Sequence, residues 1–246
     1  MQLSSRDVFT HLLQSGVTHL HHGNTVTTSC EFIRQKQLIA RGCMDRLGLN
    51  QTAQASDAND KAQGVYFDIF LDSVDIHNRA SRRNVYGPVL FKLSVERLRA
   101  MDLPPLWVTR SNPLYWNANT THQEKWFETI GQLQLEFMVG RFNQMIVMRH
   151  IGGVLPLADC LEEIVLDDPQ MAEGQLGYFS LSIGAVLLAR TSSTTPLPFA
   201  FQKRTCAAGC ACTNEYQADR AATLELFVPR RTTPPPPPQP LNPPNN

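Results

Sequence analysis

Residues 17–42 read VTHLHHGNTVTTSCEFIRQKQLIARG and contain the clearest signals of secondary structure in the chain. Residues 17–21 form a short segment that is rich in β-branched and apolar residues, which predicts a strand. In residues 28–40 the apolar side chains recur at helical spacing, serine and threonine open the segment, and Gly42 follows it. These start and stop signals predict a capped helix soon after the strand.

The rest of the chain alternates between short strands and single helices. Further strands are predicted at residues 87–93, 145–149, 164–166 and 224–228. Further helices are predicted at residues 124–139 and 157–163. Residues 51–63 are rich in Ala, Asp, Asn and Gln and predict a polar loop. Short strands separated by single helices and long loops indicate an α+β domain rather than a doubly wound sheet.

Composition sets the class of the protein and its domain limits. The chain has 246 residues, is 42% hydrophobic and carries 22 basic against 22 acidic residues. This composition excludes a wholly disordered protein, and zero net charge excludes a strongly basic nucleic-acid coat but leaves a local basic groove open. We predict one domain over residues 1–231, with a core at about 17–170 and a C-terminal extension at 171–231. Residues 232–246 read TTPPPPPQPLNPPNN and predict a disordered proline-rich tail.

The sequence also indicates a cellular compartment. Six cysteines in a chain of 246 residues are far fewer than a small disulfide scaffold needs, so we expect a reducing compartment. Residues 1–16 lack the basic start and apolar run of a secretory signal. The longest apolar stretch, at 183–189, is much shorter than the roughly 20 residues that span a bilayer. We therefore expect a cytoplasmic protein without a membrane partner.

Three of the cysteines lie close together in the predicted extension. Cys206, Cys210 and Cys212 form a CxxxCxC cluster, which is able to hold zinc if a fourth ligand folds beside it. The alternative is a loop of free, oxidation-prone thiols. The sequence contains no CxxC pair, which favours that alternative, and we therefore expect no metal.

Candidate functional residues stand beside predicted strands. The chain contains no GxGxxG, P-loop, HExxH or GxSxG motif, so four common catalytic frameworks are absent. His22 follows the first predicted strand and is suited to hydrogen-bond a ribose or an amide, although a run of histidines also fits a solvated surface cluster. Arg79, Arg82 and Arg83 precede the strand at 87–93. Three arginines there either bind a pyrophosphate or form a solvated face.

Several short motifs occur in an order that resembles a known family. They are the His-x-Asn of 22–24, the helix that follows it, DIHNR at 75–79, YGPVLF at 86–91 and TRSNPLYW at 109–116. The order and character of these motifs resemble the DarT-type nucleic-acid ADP-ribosyltransferase toxins. The resemblance runs from about residue 20 to residue 168.

The resemblance implies a fold, an activity and partners. The implied fold is an ADP-ribosyltransferase-like split mixed β-sheet with flanking helices. The implied enzyme is an NAD-dependent mono-ADP-ribosyltransferase, which cleaves the glycosidic bond of its substrate NAD and transfers ADP-ribose to a DNA or RNA base. Such an enzyme belongs to bacterial toxin–antitoxin or phage-defence systems. Its implied partners are a nucleic acid, expected to be single-stranded, and an antitoxin protein.

The resemblance also implies roles for individual residues. His22 and Asn24 would contact NAD, and Arg79 lies at or next to the position of the family's catalytic arginine. The remaining implied cofactor contacts are Tyr86, Arg82 and Arg83. The loop over nicotinamide or substrate would contribute Arg110, Tyr115 and Trp116. Aromatic residues in that loop either stack on a base or pack in the core.

The carboxylate that stabilises an oxocarbenium-like state has two candidate positions. The layout of a strand, a proline, a helix and a further strand places Gln144 where the family has glutamate, and glutamine carries no negative charge. Either Gln144 is a natural departure with lost or altered activity, or it is an inactivating change from glutamate, or Glu136 supplies the carboxylate. Glu136 lies in QLEFMV, which matches the family's QAEFLV segment, but the spacing of its neighbours predicts a helix.

Two functions from other classes remain open at this stage. The same fold without catalysis would be an NAD-binding or nucleic-acid-binding module, which the glutamine at position 144 favours. An interaction protein would act through the proline-rich tail and the cysteine cluster.

Overall fold

A computed structural model of the chain describes residues 2–80, 82–193, 197 and 199–230, so the predicted tail at 232–246 lies outside the described residues. The helices of the described residues are α1 (Ser5–Gln14), α2 (Val26–Gln35), α3 (Arg41–Leu47), α4 (Asp57–Ala62), α5 (Ile76–Ala80), α6 (Val95–Ala100), α7 (His122–Lys125), α8 (Ile130–Glu136), α9 (Tyr178–Ser192), α10 (Ala211–Ala218) and α11 (Arg220–Phe227). A 3-10 turn covers Pro113–Tyr115.

The strands of the described residues pair into four sheets. They are β1 (His19–Asn24), β2 (Gln37–Ile39), β3 (Ile69–Leu71), β4 (Val89–Ser94), β5 (Trp107–Val108), β6 (Ile146–Met148), β7 (Val154–Pro156), β8 (Leu161–Asp167), β9 (Ala172–Glu173), β10 (Leu176–Gly177) and β11 (Ala200–Arg204). The largest sheet has the order β1-β4-β8-β11, with antiparallel neighbours except for the parallel pair β8 and β11. A second sheet has the order β3-β6-β5, and β2-β7 and β9-β10 form two-stranded sheets. The predicted α+β fold, a mixed sheet with flanking helices, is confirmed.

The two larger sheets meet at one main-chain bridge. The backbone N–H of His21 donates to the carbonyl of Asp72 at 2.9 Å, and the N–H of Asp72 donates to the carbonyl of His21 at 2.9 Å. Because β1 is an edge strand of the first sheet and Asp72 directly follows β3, this bridge joins the edges of both sheets. We call it the sheet junction.

The helix predicted at 28–40 is shorter than expected and starts earlier. Thr25 caps α2, and its hydroxyl oxygen accepts a hydrogen bond from the Thr28 N–H at 3.4 Å. The helix ends at Gln35 because Lys36 adopts the left-handed conformation, with φ of 57°. The next three residues then pair with β7 as strand β2.

The helix predicted at 124–139 is interrupted. α7 and α8 occupy parts of it, but Trp126 is extended and forms an isolated bridge with Thr109. Its ring packs edge-on against Trp107 and Trp116, with centroid distances of 5.0 Å to each. Packing of this buried aromatic cluster therefore overrides the helical spacing.

Two other elements were predicted with the wrong type. Residues 157–163 form a turn and the start of strand β8, because β8 lies between β4 and β11 and its backbone pairs on both sides. Residues 224–228 belong mostly to helix α11, which begins after the cap residue Asp219. The polar segment at 51–63 also contains the short helix α4.

The core lies between the sheets and their helices. α2 packs on α9 and α11, while α1 packs on α6 and α8. Phe32 of α2, Leu20 of β1 and Phe91 of β4 are almost completely buried. Each such side chain contributes roughly 1.5–3 kcal/mol by leaving water. None of the helices in the described part of the chain is long and apolar enough to cross a membrane.

Gly87 is required where the chain passes over the end of β1. Its φ is +141°, and a Cβ there would lie 2.1 Å from the carbonyl carbon of Asn24 and 2.2 Å from the N atom of Thr25. We expect Gly87→Ala to lower the free energy of unfolding by roughly 3 kcal/mol, since strained backbone and contact with main-chain atoms add.

Gly16→Ala is the matched control for this prediction. Gly16 also has a positive φ, of +81°, but its Cβ would meet nothing within 4 Å. Urea unfolding of both variants measures the difference. Equal losses of stability would show that the close approach to Asn24 is not what requires glycine at position 87.

Candidate functional site

One cavity opens between β1, β3 and the loops that cover them. Its volume is about 170 Å³. We call it the β1 cavity. Its polar and charged lining residues are His21, His22, Asn24, Arg41, Gln54, Ser56, Asn59, Asp60, Tyr66, Asp68, Asp72, Arg79, Tyr86 and Asn112. A cavity lined by several converging polar groups is typical of a binding site for a small molecule or cofactor.

His22 presents a hydrogen-bond acceptor in this cavity. Its Nδ1 lies 2.9 Å from the carbonyl oxygen of Phe70, so Nδ1 carries the proton and donates. Burial lowers the pKa of His22, and the charge of Arg41 acts in the same direction. The remaining nitrogen, Nε2, is buried and has no hydrogen-bond partner among the described residues. An unprotonated Nε2 in this position is suited to accept a hydrogen bond from a ligand hydroxyl.

Asn24 is held at the same end of β1. It is buried, and its Oδ1 accepts a hydrogen bond from the Thr25 N–H at 2.9 Å. Tyr86 also lines the cavity, and burial raises the pKa of its hydroxyl. Gly87 places this tyrosine segment directly against Asn24.

Arg79 lines the cavity from α5. Its Nη1 donates to Asp72 Oδ2 at 2.7 Å and to the carbonyl of Gly140 at 3.4 Å, and its guanidinium lies 5.3 Å from the ring centre of Phe142. Burial raises the pKa of Asp72, and the charge of Arg79 opposes this shift. The arginine is therefore fixed by a partly buried ion pair and by the loop that contains residues 140 and 142.

The structure adds charged residues that the sequence did not indicate. Arg41 lines the cavity, donates to Asp57 and to the carbonyl of Thr52, and has a buried Nη1 without a hydrogen-bond partner among the described residues. Asp68 also lines it, and burial raises its pKa to about 7 against the charge of Arg149. Arg149 Nη1 lies 3.1 Å from Asp68 Oδ2 without the alignment of a hydrogen bond. Neither Arg41 nor Asp68 stands in a sequence motif that would have indicated it.

The loop predicted to cover the ligand contributes only part of its residues to the cavity. Asn112 caps the 3-10 turn at 113–115 and, with Pro113 and Leu114, lines the β1 cavity. Tyr115 is 60% exposed and, with Arg110, borders a shallow depression on the neighbouring surface. Trp116 is buried against Trp126 and therefore packs in the core.

Glu136 and Gln144 turn out to be direct neighbours. The Gln144 Nε2 donates to the Glu136 carbonyl at 3.1 Å, and its Oε1 accepts from the Met138 N–H at 2.6 Å. Gln144 is buried, whereas the Glu136 side chain is 45% exposed and forms an ion pair with Arg110. Neither side chain is part of the cavity lining. Gln144 thus ties down the backbone that carries Glu136.

We expect Gln144→Glu to destabilise the protein by about 1–3 kcal/mol at neutral pH, because a carboxylate cannot donate to the Glu136 carbonyl. Urea unfolding measures this loss. Gln132→Glu is the matched control, since the Gln132 Oε1 accepts from the Glu128 N–H at 3.0 Å and an acid keeps that acceptor. A Gln144→Glu protein as stable as the control would contradict the supporting role of the amide.

Two of the predicted cofactor contacts lie elsewhere. Arg82 donates to Glu215 at 2.8 Å with a side chain that is 70% exposed, and the backbone N–H of Arg83 donates to the same glutamate at 3.2 Å. Neither arginine lines the β1 cavity. Both instead contact helix α10 of the C-terminal extension.

The three cysteines of the extension converge with a histidine. Cys206, Cys210 and Cys212 surround the Nε2 atom of His77, and the four ligand atoms lie within 4.8 Å of one another. The sequence indicated the cysteines but not His77, which is 129 residues away from the first of them.

Comparisons with known proteins give similarities to solved structures at low sequence identity. No family model and no curated protein matches the chain. Among solved structures, Thermus sp. 2.9 DarT in complex with ADP-ribosylated ssDNA has a TM-score of 0.48 and 10% identity, covering 77% of this chain and 95% of that one. The same DarT in complex with NAD+ has a TM-score of 0.45 and 11% identity, covering 76% of this chain and 96% of that one.

Proposed function

We propose that the chain is an NAD-dependent mono-ADP-ribosyltransferase that modifies a nucleic-acid base. One observation carries this proposal: motifs that lie far apart in the sequence meet at the β1 cavity. His22 and Asn24, Arg79, Tyr86 and the loop at 112–114 all line it. These same motifs carry the family resemblance, and their convergence on one cavity is what a shared site requires.

The lining residues fit the parts of NAD. The buried Nε2 of His22 is an acceptor for a ribose hydroxyl. Arg79 and Arg41 are arginines with directed N–H groups, which suit pyrophosphate oxygens. The reaction would break the bond between the ribose C1′ and nicotinamide, release nicotinamide, and form a bond from C1′ to a nucleophilic atom of the base, which gives up its proton to solvent. Positive charge develops on the ribose during this exchange, and a carboxylate stabilises it.

We propose Glu136 as that carboxylate and Gln144 as the residue that positions it. The segment after Glu136 folds back over the cavity: Gly140 contacts Arg79 through its carbonyl and Ser73 through its N–H. Phe142 and Met145, from the same segment, line the cavity. Glu136 therefore lies at the start of the loop 137–143, which borders the site. Gln144, at the end of this loop, hydrogen-bonds to its start.

The nucleic acid is expected to bind beside the exposed loop at 110–115. Leu114 and Tyr115 are 58% and 60% exposed, and Arg110 lies next to them. An exposed aromatic ring beside a cation is suited to stack on an unpaired base. A base in a duplex would first have to leave the stack, so single-stranded substrate is expected. We extend the proposal to a toxin of a bacterial toxin–antitoxin or phage-defence system, acting in the cytoplasm with an antitoxin partner, on the sequence resemblance alone.

A binding module without catalysis is the second candidate. The observation that favours it is that Glu136 lies outside the cavity lining and is paired with Arg110. Calorimetric binding of NAD without release of nicotinamide would support this candidate over the enzyme.

The proposal is tested by following labelled NAD. The full chain is incubated with adenine-labelled NAD and, separately, with pools of single-stranded DNA, RNA and protein. We expect label on one nucleic-acid pool, together with free nicotinamide. Label on protein only would change the substrate class. The absence of both transfer and nicotinamide release would refute the enzyme.

A further inference from the structure

Four potential metal ligands from distant parts of the chain form one compact cluster. The His77 Nε2 lies 3.5 Å from the sulfur of Cys206, 3.4 Å from that of Cys210 and 3.3 Å from that of Cys212. The Cys212 sulfur lies 3.1 Å from the Cys206 sulfur and 3.2 Å from the Cys210 sulfur. We call these four residues the Cys3His cluster.

These distances are close to those of a tetrahedral zinc site. Zn–S bonds of about 2.3 Å and Zn–N bonds of about 2.0 Å place sulfur atoms about 3.8 Å apart and sulfur and nitrogen about 3.5 Å apart. The observed nitrogen–sulfur distances agree with this, and the sulfur–sulfur distances are somewhat shorter. A disulfide would need sulfur atoms at about 2.05 Å, and all three cysteines are free.

The local backbone brings the ligands to one point. Gly209 has a φ of +78°, which lets the loop between Cys206 and Cys210 turn back on itself. Cys210 is the N-cap residue of α10, and Cys212 lies in its first turn. Negative charge on sulfur is favoured at a helix N-terminus, where backbone N–H groups lack partners.

Ion pairs hold the two sides of the cluster in place. The N–H of His77 donates to Asp75 Oδ1 at 3.0 Å, and Asp75 Oδ2 pairs with Arg204 at 2.7 Å. Arg204 ends β11, two residues before Cys206, and also pairs with Asp167. Both ligand-bearing segments are therefore positioned by contacts independent of the cluster.

We propose that the Cys3His cluster binds one Zn²⁺ and that this ion fastens the C-terminal extension to α5. Three thiolates and one imidazole are soft donors that select zinc, and four protein ligands leave no position open for substrate. Binding releases the thiol protons to solvent and involves no oxidation or reduction. The zinc is thus structural.

The site has a consequence for α5. This helix has only five residues, which is too short to be stable alone. It carries His77 and, two residues later, Arg79 of the β1 cavity. A zinc bound through His77 therefore fixes the helix that presents Arg79. The zinc site does not depend on the proposed function.

The experiment measures metal in the purified full chain. We expect one zinc per chain by mass spectrometry, and its loss in Cys210→Ser. Cys43→Ser is the matched control, since Cys43 is buried elsewhere and contacts the carbonyl of Gly152; it is expected to keep the zinc. Zinc retained in Cys210→Ser, or lost equally in both variants, would overturn the assignment.

A second measurement uses the unmodified chain, in case Cys210→Ser fails to fold. We expect a chelator to release zinc and expose three additional reactive thiols, and Co²⁺ in its place to give thiolate charge-transfer absorption. Three thiols reactive without chelator and no Co²⁺ absorption would refute a metal site. A protein mass lower by two hydrogen atoms would show a disulfide instead, which would also refute a metal site.

Discussion

Replacing Arg79 with alanine is expected to abolish NAD turnover by the chain, with a loss of at least roughly 10²–10³-fold. Arg79 is a cavity-lining cation that is fixed by Asp72, by the Gly140 carbonyl and by the ring of Phe142. Alanine removes every N–H group that it offers to a bound pyrophosphate or ribose. Release of nicotinamide from NAD measures the effect.

This substitution also leaves Asp72 buried without its partner, which lowers stability. The double variant Arg79→Ala/Asp72→Asn removes that uncompensated charge, so its thermal unfolding separates the two effects. Arg99→Ala is the control arginine, because Arg99 pairs with Glu96 on the surface and does not line the cavity. Unchanged nicotinamide release by the stable double variant would refute a role for Arg79 in NAD turnover.

The second large effect is expected for Glu136→Gln, which should reduce transfer of ADP-ribose by roughly 10²–10⁴-fold. Glutamine has the same shape but no charge to stabilise the developing positive charge on the ribose. The side chain is 45% exposed and pairs with Arg110, so the melting temperature is expected to change little. Transfer of labelled ADP-ribose and thermal unfolding are measured on the same preparation.

Two further variants complete this test. Glu96→Gln changes another exposed, arginine-paired glutamate and is expected to keep full transfer. Asp68→Asn removes the cavity-lining carboxylate whose pKa is raised to about 7. Full transfer by Glu136→Gln together with loss in Asp68→Asn would assign the carboxylate to Asp68 instead.

The sequence predicted four of the eleven strands that the described residues form. β1, β4, β6 and β8 each overlap a predicted strand, because short runs of β-branched and apolar residues leave few alternatives. The errors arose where tertiary contacts override local pattern. Residues 157–163 have a helical composition, yet pairing on both sides draws their second half into β8. Trp126 similarly gives up a helix to pack on two other tryptophans.

The candidate site was predicted in part. His22, Asn24, Arg79 and Tyr86 were indicated by motifs and line one cavity. Arg82 was placed with them because it is close in sequence, but its side chain points to Glu215 on the surface. Sequence reasoning did not identify the roles of Arg41, Asp68 and His77. The position of each in its site depends on contacts with residues that are remote in the sequence. Their roles become visible only once the chain is folded.

The sheet junction sets the width of the site. His22 belongs to β1 on one side of the junction, whereas Arg79 is gripped by Asp72 on the other side. The spacing between these two side chains therefore follows from two main-chain hydrogen bonds, which no substitution at positions 21 or 72 other than proline removes. A shift of one sheet against the other would change the distance between His22 and Arg79. The residues on each side of the junction would keep their own arrangement.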